Sequence, residues 1–313
     1  YKRQYSSHAE CRACGFVFTC PNCDVALTYH RFDESLRCHY CGANYKMPKT
    51  CPSCGREYIK YTGIGTQQVE EQLKLVFPNV RCLRMDMDTT SGKTAHRDIL
   101  DAFTRREADV LIGTQMVAKG LDIPNVTLVG VVFADSTLFH SDFRSSERTF
   151  QLLTQVAGRA GRADKEGRVV IQTNAPGHRA IRLCTKHDYK TFYNLEIGDR
   201  LRTLFPPFAV FVRAQFACAD ENAAADAAER FANGVTKTIL TALKPANAEN
   251  ELVFALAGAA PIRRREGLFR YAVIIKLVRT ANTAAAINAI YAFSDGCADE
   301  CYRGIEVNPQ DML

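Results

Sequence analysis

The chain has 313 residues, 47% hydrophobic and 24% charged, with a formal net charge of +6. This balance excludes a disordered or low-complexity polypeptide, and the length suffices for two or three separate cores. No stretch approaches the roughly 18 uninterrupted apolar residues of a membrane span, and the mild positive charge permits nucleic-acid contact without demanding it.

The N-terminal region is dominated by eight cysteines in four CxxC pairs: Cys11/Cys14, Cys20/Cys23, Cys38/Cys41 and Cys51/Cys54. Two residues between cysteines let both sulfurs face one metal across a tight turn, so each pair reads as half a tetrahedral thiolate site. Pro21, Pro52, Gly15, Gly42 and Gly55 supply turn chemistry inside or just after the pairs. Four halves make two zinc sites. A redox CxxC would stand alone and open a helix, and a disulfide framework suits short secreted chains rather than a long α/β one.

Only five residues separate Cys14 from Cys20, too few for those pairs to wrap one ion. The expected pairing is therefore nested, with Cys11, Cys14, Cys51 and Cys54 on the first zinc and Cys20, Cys23, Cys38 and Cys41 on the second. Phe16, Phe18, Tyr29, Phe32, Tyr40 and Tyr45 lie in the same region and read mainly as its core, with base stacking as the alternative. The remaining thiols, Cys82, Cys184, Cys218, Cys297 and Cys301, are scattered and fit a reducing cytoplasm. Cys297 and Cys301 read as neighbours on a helix face rather than a labile pair.

After the cysteines the pattern alternates between strand and helix. Thr66 is placed to cap a helix carrying Val69, Leu73 and Val76 on one face. A strand at Val80–Met85 follows, then a helix with His96, Ile99, Leu100 and Phe103. Two apolar strands at Asp109–Gly113 and Val126–Phe133 suit a parallel sheet covered on both faces. A helix over Glu147–Gly158 and a strand at Val169–Thr173 complete a right-handed βαβ stack. A single helix is expected from Arg179 to Leu204, stopped by Pro206-Pro207. Beyond it, strands at Val210–Phe216, Leu252–Leu256, Phe269–Val278 and Gly304–Val307, with helices at Glu221–Leu243 and Thr283–Phe293, give the order βαββαβ of a ferredoxin-like sandwich.

Ser91-Gly92-Lys93-Thr94 imitates the tail of a P-loop, but the glycine required five positions earlier is Met87. The informative segments are Gly113-Thr-Gln-Met-Val-Ala-Lys-Gly120, at the end of an apolar strand, and Gln155-Val-Ala-Gly-Arg-Ala-Gly-Arg162, after a helix. Loops at the carboxyl ends of parallel strands line ligand clefts, and paired arginines over glycines can reach a phosphate. These segments, the first with Asp122 and Pro124, resemble motifs V and VI of superfamily-2 helicases. Gly63-Ile-Gly-Thr66, Arg84-x-Asp86-x-Asp88-Thr89-Thr90, Asp142-Phe-Arg-Ser-Ser-Glu-Arg148 and Glu306-Val-Asn-Pro309, with the cysteine pairs upstream, narrow the resemblance to the bacterial primosomal helicases that restart stalled replication. Gln4, Gln67, Asn308 and a short arginine turn at Arg263–Arg265 depart from that family's usual pattern.

The resemblance implies an α/β chain: a RecA-like helicase lobe with an inserted two-zinc module, plus an α+β ferredoxin-like, ribosomal-protein-like C-terminal domain. Residues 1–10 would open the second helicase lobe, 11–54 form the zinc insertion, 55–205 complete the lobe and 206–313 bind DNA. ATP and Mg²⁺ would be held mainly by a first lobe; neither a P-loop nor an acidic Mg²⁺ motif is read here, and the sequence opens on Tyr1. The expectation is the C-terminal half of a longer 3′→5′ DNA helicase, inactive alone. Arg159 and Arg162 would stabilise charge at the γ-phosphate, with Gln155 sensing nucleotide or orienting water. Gly113, Thr114, Gln115, Lys119, Gly120 and Asp122 would couple ATP to DNA.

Gly65, Thr66, Arg263, Arg264 and Arg265 are the expected DNA contacts, with Arg270 opening the following strand. The single nearby acid, Glu266, cannot neutralise three adjacent arginines. Implied partners are forked and single-stranded DNA, primosome proteins and single-stranded-DNA-binding protein, in a bacterial cytoplasm close to the nucleoid. The competing reading is a non-catalytic, zinc-stabilised platform for DNA and protein.

Overall fold

The computed structural model describes residues 8–11, 13–23, 25–30, 34–38, 40–57, 59–62, 65–86, 95–114, 117, 126–139, 142–158, 160, 167–243 and 251–310. It divides into two compact units. One comprises residues 1–7 and 62–194, the other residues 8–61 and 195–313. No helix among the described residues is long and apolar enough to cross a membrane.

The cysteine-rich region forms a small sheet from β1 (His8–Cys11), β2 (Thr28–His30), β3 (Ser35–Arg37), β4 (Asn44–Lys46) and β5 (Ile59–Thr62), in the order β4-β3-β2-β1-β5, antiparallel from β4 to β1. Three- and four-residue strands cannot bury much apolar surface, so the cysteines themselves become core. Cys20, Cys23 and Cys38 cluster with Ala9, Phe18, Leu27 and Leu36, and Phe16, Tyr29, Tyr40 and Tyr45 pack against them. Phe16 meets Phe18 edge-on at 5.2 Å. The aromatic residues thus serve as core here; Phe32 lies outside the described residues. β1 and β5 carry this sheet beyond residues 11–54 on both sides.

The second region begins with α1 (Thr66–Val76), β6 (Cys82–Met85), α2 (Ala95–Thr104) and β7 (Val110–Gly113). β6 and β7 pair in parallel, Met85 opposite Gly113. At their opposite ends Arg81 forks onto Asp109, Nη2 to Oδ1 at 2.7 Å, which holds the Asp109 carboxyl down at about 2. Next come β8 (Leu128–Val131), α3 (Asp135–Leu138), α4 (Ser145–Ala157), β9 (Arg168–Ile171) and α5 (Arg179–Cys184). β8 and β9 form a second parallel pair.

The expectation of two-sided burial fails for this second pair. Both strands alternate exposed and half-buried residues, leaving Leu128 61% and Val170 54% exposed. The covered side rests on Phe150, Leu153, Ile181 and Leu183 from α4 and α5. Asp135 joins α3 to the exit of β9 by accepting from Thr173 Oγ1 at 2.6 Å and Asn174 N at 2.8 Å.

The helix expected from Arg179 to Leu204 is two. After α5 the chain passes through His187 at φ 53°, and α6 (Tyr189–Thr203) starts anew. Asp188 accepts from the Thr191 amide at 3.0 Å, a side-chain cap that a continuous helix would not offer. The boundary between the two compact units falls inside α6, between Asn194 and Leu195.

The C-terminal module contains β10 (Ala209–Cys218), α7 (Glu221–Ala242), β11 (Leu252–Arg265), β12 (Leu268–Val278), α8 (Thr283–Asp295) and β13 (Tyr302–Val307). Its sheet is antiparallel throughout, in the order β11-β12-β10-β13. Asp220 caps α7 through the Ala223 amide at 2.8 Å. Ala224, Ala227, Ala228, Phe231, Ala232, Val235 and Ile239 then recur on one buried face of α7, the spacing of an amphipathic helix. They meet Val212, Phe216, Val273, Ile275 and Leu277 of the sheet. Lys276, 7% exposed, donates to Thr203 O at 2.9 Å and lies 4.6 Å from the Phe205 ring, tying the end of α6 to the sheet. Cys297 and Cys301 do not share a helix face, because α8 ends at Asp295, but both pack in this core.

Candidate functional site

The cysteine pairs build a repeated turn. Cys11 N donates to Phe16 O and Gly15 N to Cys11 O, and the same two bonds recur at Cys38 with Ala43 and Gly42, and at Cys51 with Arg56 and Gly55. Gly15, Gly42 and Gly55 take φ of 74°, 73° and 70°, a left-handed conformation that costs a residue bearing Cβ. The turns bring the eight sulfurs into two sets, Cys11, Cys14, Cys51 and Cys54, and Cys20, Cys23, Cys38 and Cys41, each with all sulfurs within 4.8 Å of one another. This is the nested arrangement expected from the loop lengths.

Sulfur spacing tests the metal. Zn–S bonds of about 2.3 Å at tetrahedral angles place sulfurs about 3.8 Å apart. Cys11–Cys54, Cys14–Cys51 and Cys20–Cys41 each stand at 3.7 Å. The donor set and its spacing fit two zinc ions.

Crowding four thiols splits their acidities. In the first set, burial opposes ionisation of Cys11, but the amides of Cys14 and Ala13 and the neighbouring thiols bring it down to about 7. Cys54 receives the Arg56 amide, yet burial and the surrounding thiols raise it to about 11. In the second, the Ala43 amide lowers Cys41 to about 7, while burial pushes Cys23 up to about 12 against the Glu266 amide. A dication would stabilise all four thiolates at once.

The helicase-like motifs occupy a different part of the chain. Gly65, with extended backbone, is the N-cap of α1, and Thr66 is the helix's first residue rather than its cap; the Thr66 hydroxyl donates to Asp86 Oδ2 at 2.6 Å. Asp86 is buried and also pairs with Arg84 Nε at 2.8 Å. Since Met85 pairs with Gly113, Asp86 and Thr114 both leave the carboxyl edge of the β6–β7 pair. Gly65, Thr66, Gly113 and Thr114 therefore belong to one strand edge, with Thr114 exposed. Asp86 thus ties the start of α1 to this strand edge, a structural role that Arg84-x-Asp86 signals in the sequence.

Gln155 is exposed on the last turn of α4. Gln115, Lys119, Gly120, Asp122, Arg159 and Arg162 lie outside the described residues, as does Ser91–Thr94. Asp142 anchors the start of α4, accepting from Arg144 N at 2.8 Å and standing 3.5 Å from Arg148 Nη1.

The arginine cluster does not form a loop. Arg263, Arg264 and Arg265 end strand β11, and the turn is Glu266-Gly267. Nor is Glu266 the only acid at hand. Arg263 pairs with Glu221 at the start of α7, Arg265 Nε donates to Glu266 Oε1 at 3.2 Å, and Arg264 Nη1 donates to the Pro21 carbonyl at 3.2 Å. Asn308 continues the sheet edge, its side-chain oxygen accepting from Phe211 N at 3.2 Å.

Two parallel strand pairs with motif segments at strand and helix ends thus share one chain with two four-cysteine sites. Accordingly, residues 58–164 match the helicase conserved C-terminal domain, and residues 20–46 match the PriA DNA helicase Cys-rich region domain. The chain is 46% identical to replication restart protein PriA of Bacillus subtilis across 92% of its own length and 35% of the relative's. It is 49% identical to the PriA of Synechocystis (67% of this chain, 26% of the relative) and 44% identical to that of Haemophilus influenzae (66% and 28%). The chain is strongly homologous to the PriA replication restart proteins, and its matches span between about a quarter and a third of these curated relatives' length.

Proposed function

We propose that this chain is the second RecA-like lobe, zinc module and C-terminal DNA-binding domain of an ATP-dependent 3′→5′ DNA helicase that acts in replication restart in the bacterial cytoplasm, near the nucleoid. The observation that carries the reading is the pair of nested four-cysteine sites in a chain that also matches a helicase C-terminal domain. The C-terminal strand order β11-β12-β10-β13 with two helices supports a ferredoxin-like sandwich, and the zinc module reads as an insertion in the lobe.

ATP held with Mg²⁺ between two lobes would bridge them through its terminal phosphate, and cleavage of the terminal P–O bond by water would remove that bridge and let them open. On this side of the cleft, Arg159 and Arg162 are assigned to bind and neutralise the terminal phosphate, and Gln155, exposed at the end of α4, to orient water. Gly113, Thr114, Gln115, Lys119, Gly120 and Asp122 follow β7 and couple that event to DNA, together with Gly65 and Thr66 at the same edge. Arg263 and Arg265, with side chains 58% and 47% exposed, are the arginines of the cluster best placed to add phosphate contacts. Arg264 is committed to Pro21. Primosome proteins and single-stranded-DNA-binding protein are the proposed protein partners, and forked DNA the substrate.

The test compares the full-length gene product with this chain alone. Arg162→Ala in the full-length protein should lower kcat for fork-stimulated ATP hydrolysis by about 10³-fold, the scale of an arginine that stabilises phosphoryl transfer, with DNA affinity nearly unchanged. This chain alone should hydrolyse no ATP. DNA-stimulated turnover by the isolated chain would overturn the assignment in favour of a complete active site.

A further inference from the structure

The inner cysteine set, Cys20, Cys23, Cys38 and Cys41, receives a hydrogen bond from far along the sequence. The turns followed by glycine are closed by local bonds, Gly15 N to Cys11 O, Gly42 N to Cys38 O and Gly55 N to Cys51 O. The turn at Cys23 is followed by Asp24 instead of glycine, and Cys23 Sγ accepts from Glu266 N at 3.3 Å, across 243 residues.

The donor arises from hairpin geometry. Glu266 and Gly267 link β11 to β12 at φ 55° and 85°, with Arg265 opposite Leu268, so they form a two-residue turn with both central residues left-handed. The amides of two such central residues point away from the strand ladder and need partners elsewhere. Glu266 N finds Cys23 Sγ, and Gly267 N donates to Asn22 O at 3.0 Å. Arg264 Nη1 takes the Pro21 carbonyl at 3.2 Å, and the Arg265 guanidinium stands 6.0 Å from the Tyr40 ring, beside Cys41. The hairpin tip therefore grips three successive residues of one half of the inner site and touches the other half.

We infer that the β11–β12 tip is an outer-sphere component of the inner zinc site, so that metal binding there and docking of the C-terminal hairpin stabilise each other. This rests on the zinc reading of the cysteines. Partners that hydrogen-bond a metal ligand fix its orientation, and losing them typically costs about 10–100-fold in metal affinity. By linkage, whatever factor the tip adds to metal affinity, metal adds to the docking of the tip. Glu266 and Gly267 act through their backbone and Arg264 through Pro21; all three are positioning residues.

Two measurements on the whole chain test this. Zinc release to a chromophoric chelator should occur in two phases, and Arg264→Ala with Arg265→Ala should speed the inner-site phase about tenfold while leaving the outer phase unchanged as an internal reference. Hydrogen exchange needs no variant. Stripping zinc from the unaltered chain should deprotect the Glu266 and Gly267 amides at least tenfold, while amides of the Phe231 helix face keep their protection. Two bound zincs with unaltered release phases and metal-independent exchange at Gly267 would overturn the coupling alone. Fewer than two zincs per folded chain would overturn the metal reading and the coupling with it.

Discussion

Gly113 shows how one residue constrains the strand edge that carries the motifs. A Cβ placed there would stand 2.1 Å from Val117 Cγ2 and 2.6 Å from the Met85 carbonyl oxygen. The valine can shift, but the carbonyl belongs to the partner strand, with Met85 directly opposite Gly113. Gly113→Ala should therefore cost about 1–3 kcal/mol, the usual range for overpacking a filled site, seen as a lower thermal midpoint. Adding Val117→Ala should recover only part of that cost, and an unchanged midpoint for Gly113→Ala would show that the edge is not close-packed. The motif marks this glycine in the sequence, whereas its packing reason depends on β6, met only in three dimensions. Thr66 teaches the same point. Its hydroxyl is placed in sequence like a helix cap, but the acceptor it finds, Asp86, is 20 residues away.

At the scale of elements, the cysteine turns are the most legible feature, because ligand spacing and turn chemistry are local. Cys38→Ser should reduce bound zinc from two to one and unfold the inner half of the module. Structural zinc contributes on the order of 10–16 kcal/mol in small zinc peptides, and Phe18, Leu27 and Leu36 pack with these cysteines. Metal analysis and exchange of the Leu36 amide would check this, and retention of both zincs would refute the nested pairing. Elsewhere local signals mislead. Between Arg179 and Leu204 the composition offers Gly198 as a breaker, but that glycine lies inside α6, whereas the real break comes before Asp188, which caps the new helix; an Asp before an aromatic run is the available clue. The apolar run in β8 suggests two covered faces, but such a short run does not distinguish a central strand from one with a single covered face. The βαββαβ order of the C-terminal module is readable, because each of its elements is long and strongly patterned.

For the whole molecule, what the sequence conceals is long-range pairing of charge. Three adjacent arginines suggest an open cationic edge, and the structure gives each a different partner, Glu221, Pro21 and Glu266. The edge still holds more positive charge than it neutralises. Burial, then the charges of Arg265 and Arg213, push the neighbouring Arg270 guanidinium down, and a phosphate placed there would relieve that repulsion. Arg263 and Arg265 hold their acids in half-exposed pairs, and ion pairs of that kind are worth little in water, so exchange for DNA phosphates carries a small cost. Replacing both by Ala should weaken forked-DNA binding to a similar extent for every sequence. It should also flatten the slope of log K against log salt by about 0.9 for each duplex phosphate the protein no longer neutralises, hence about 1.8 for the pair. Base-specific changes in affinity would point to groove readout rather than backbone grip. A salt slope identical to that of the unaltered chain would assign both arginines to their intramolecular partners and move the DNA path to the β6–β7 edge.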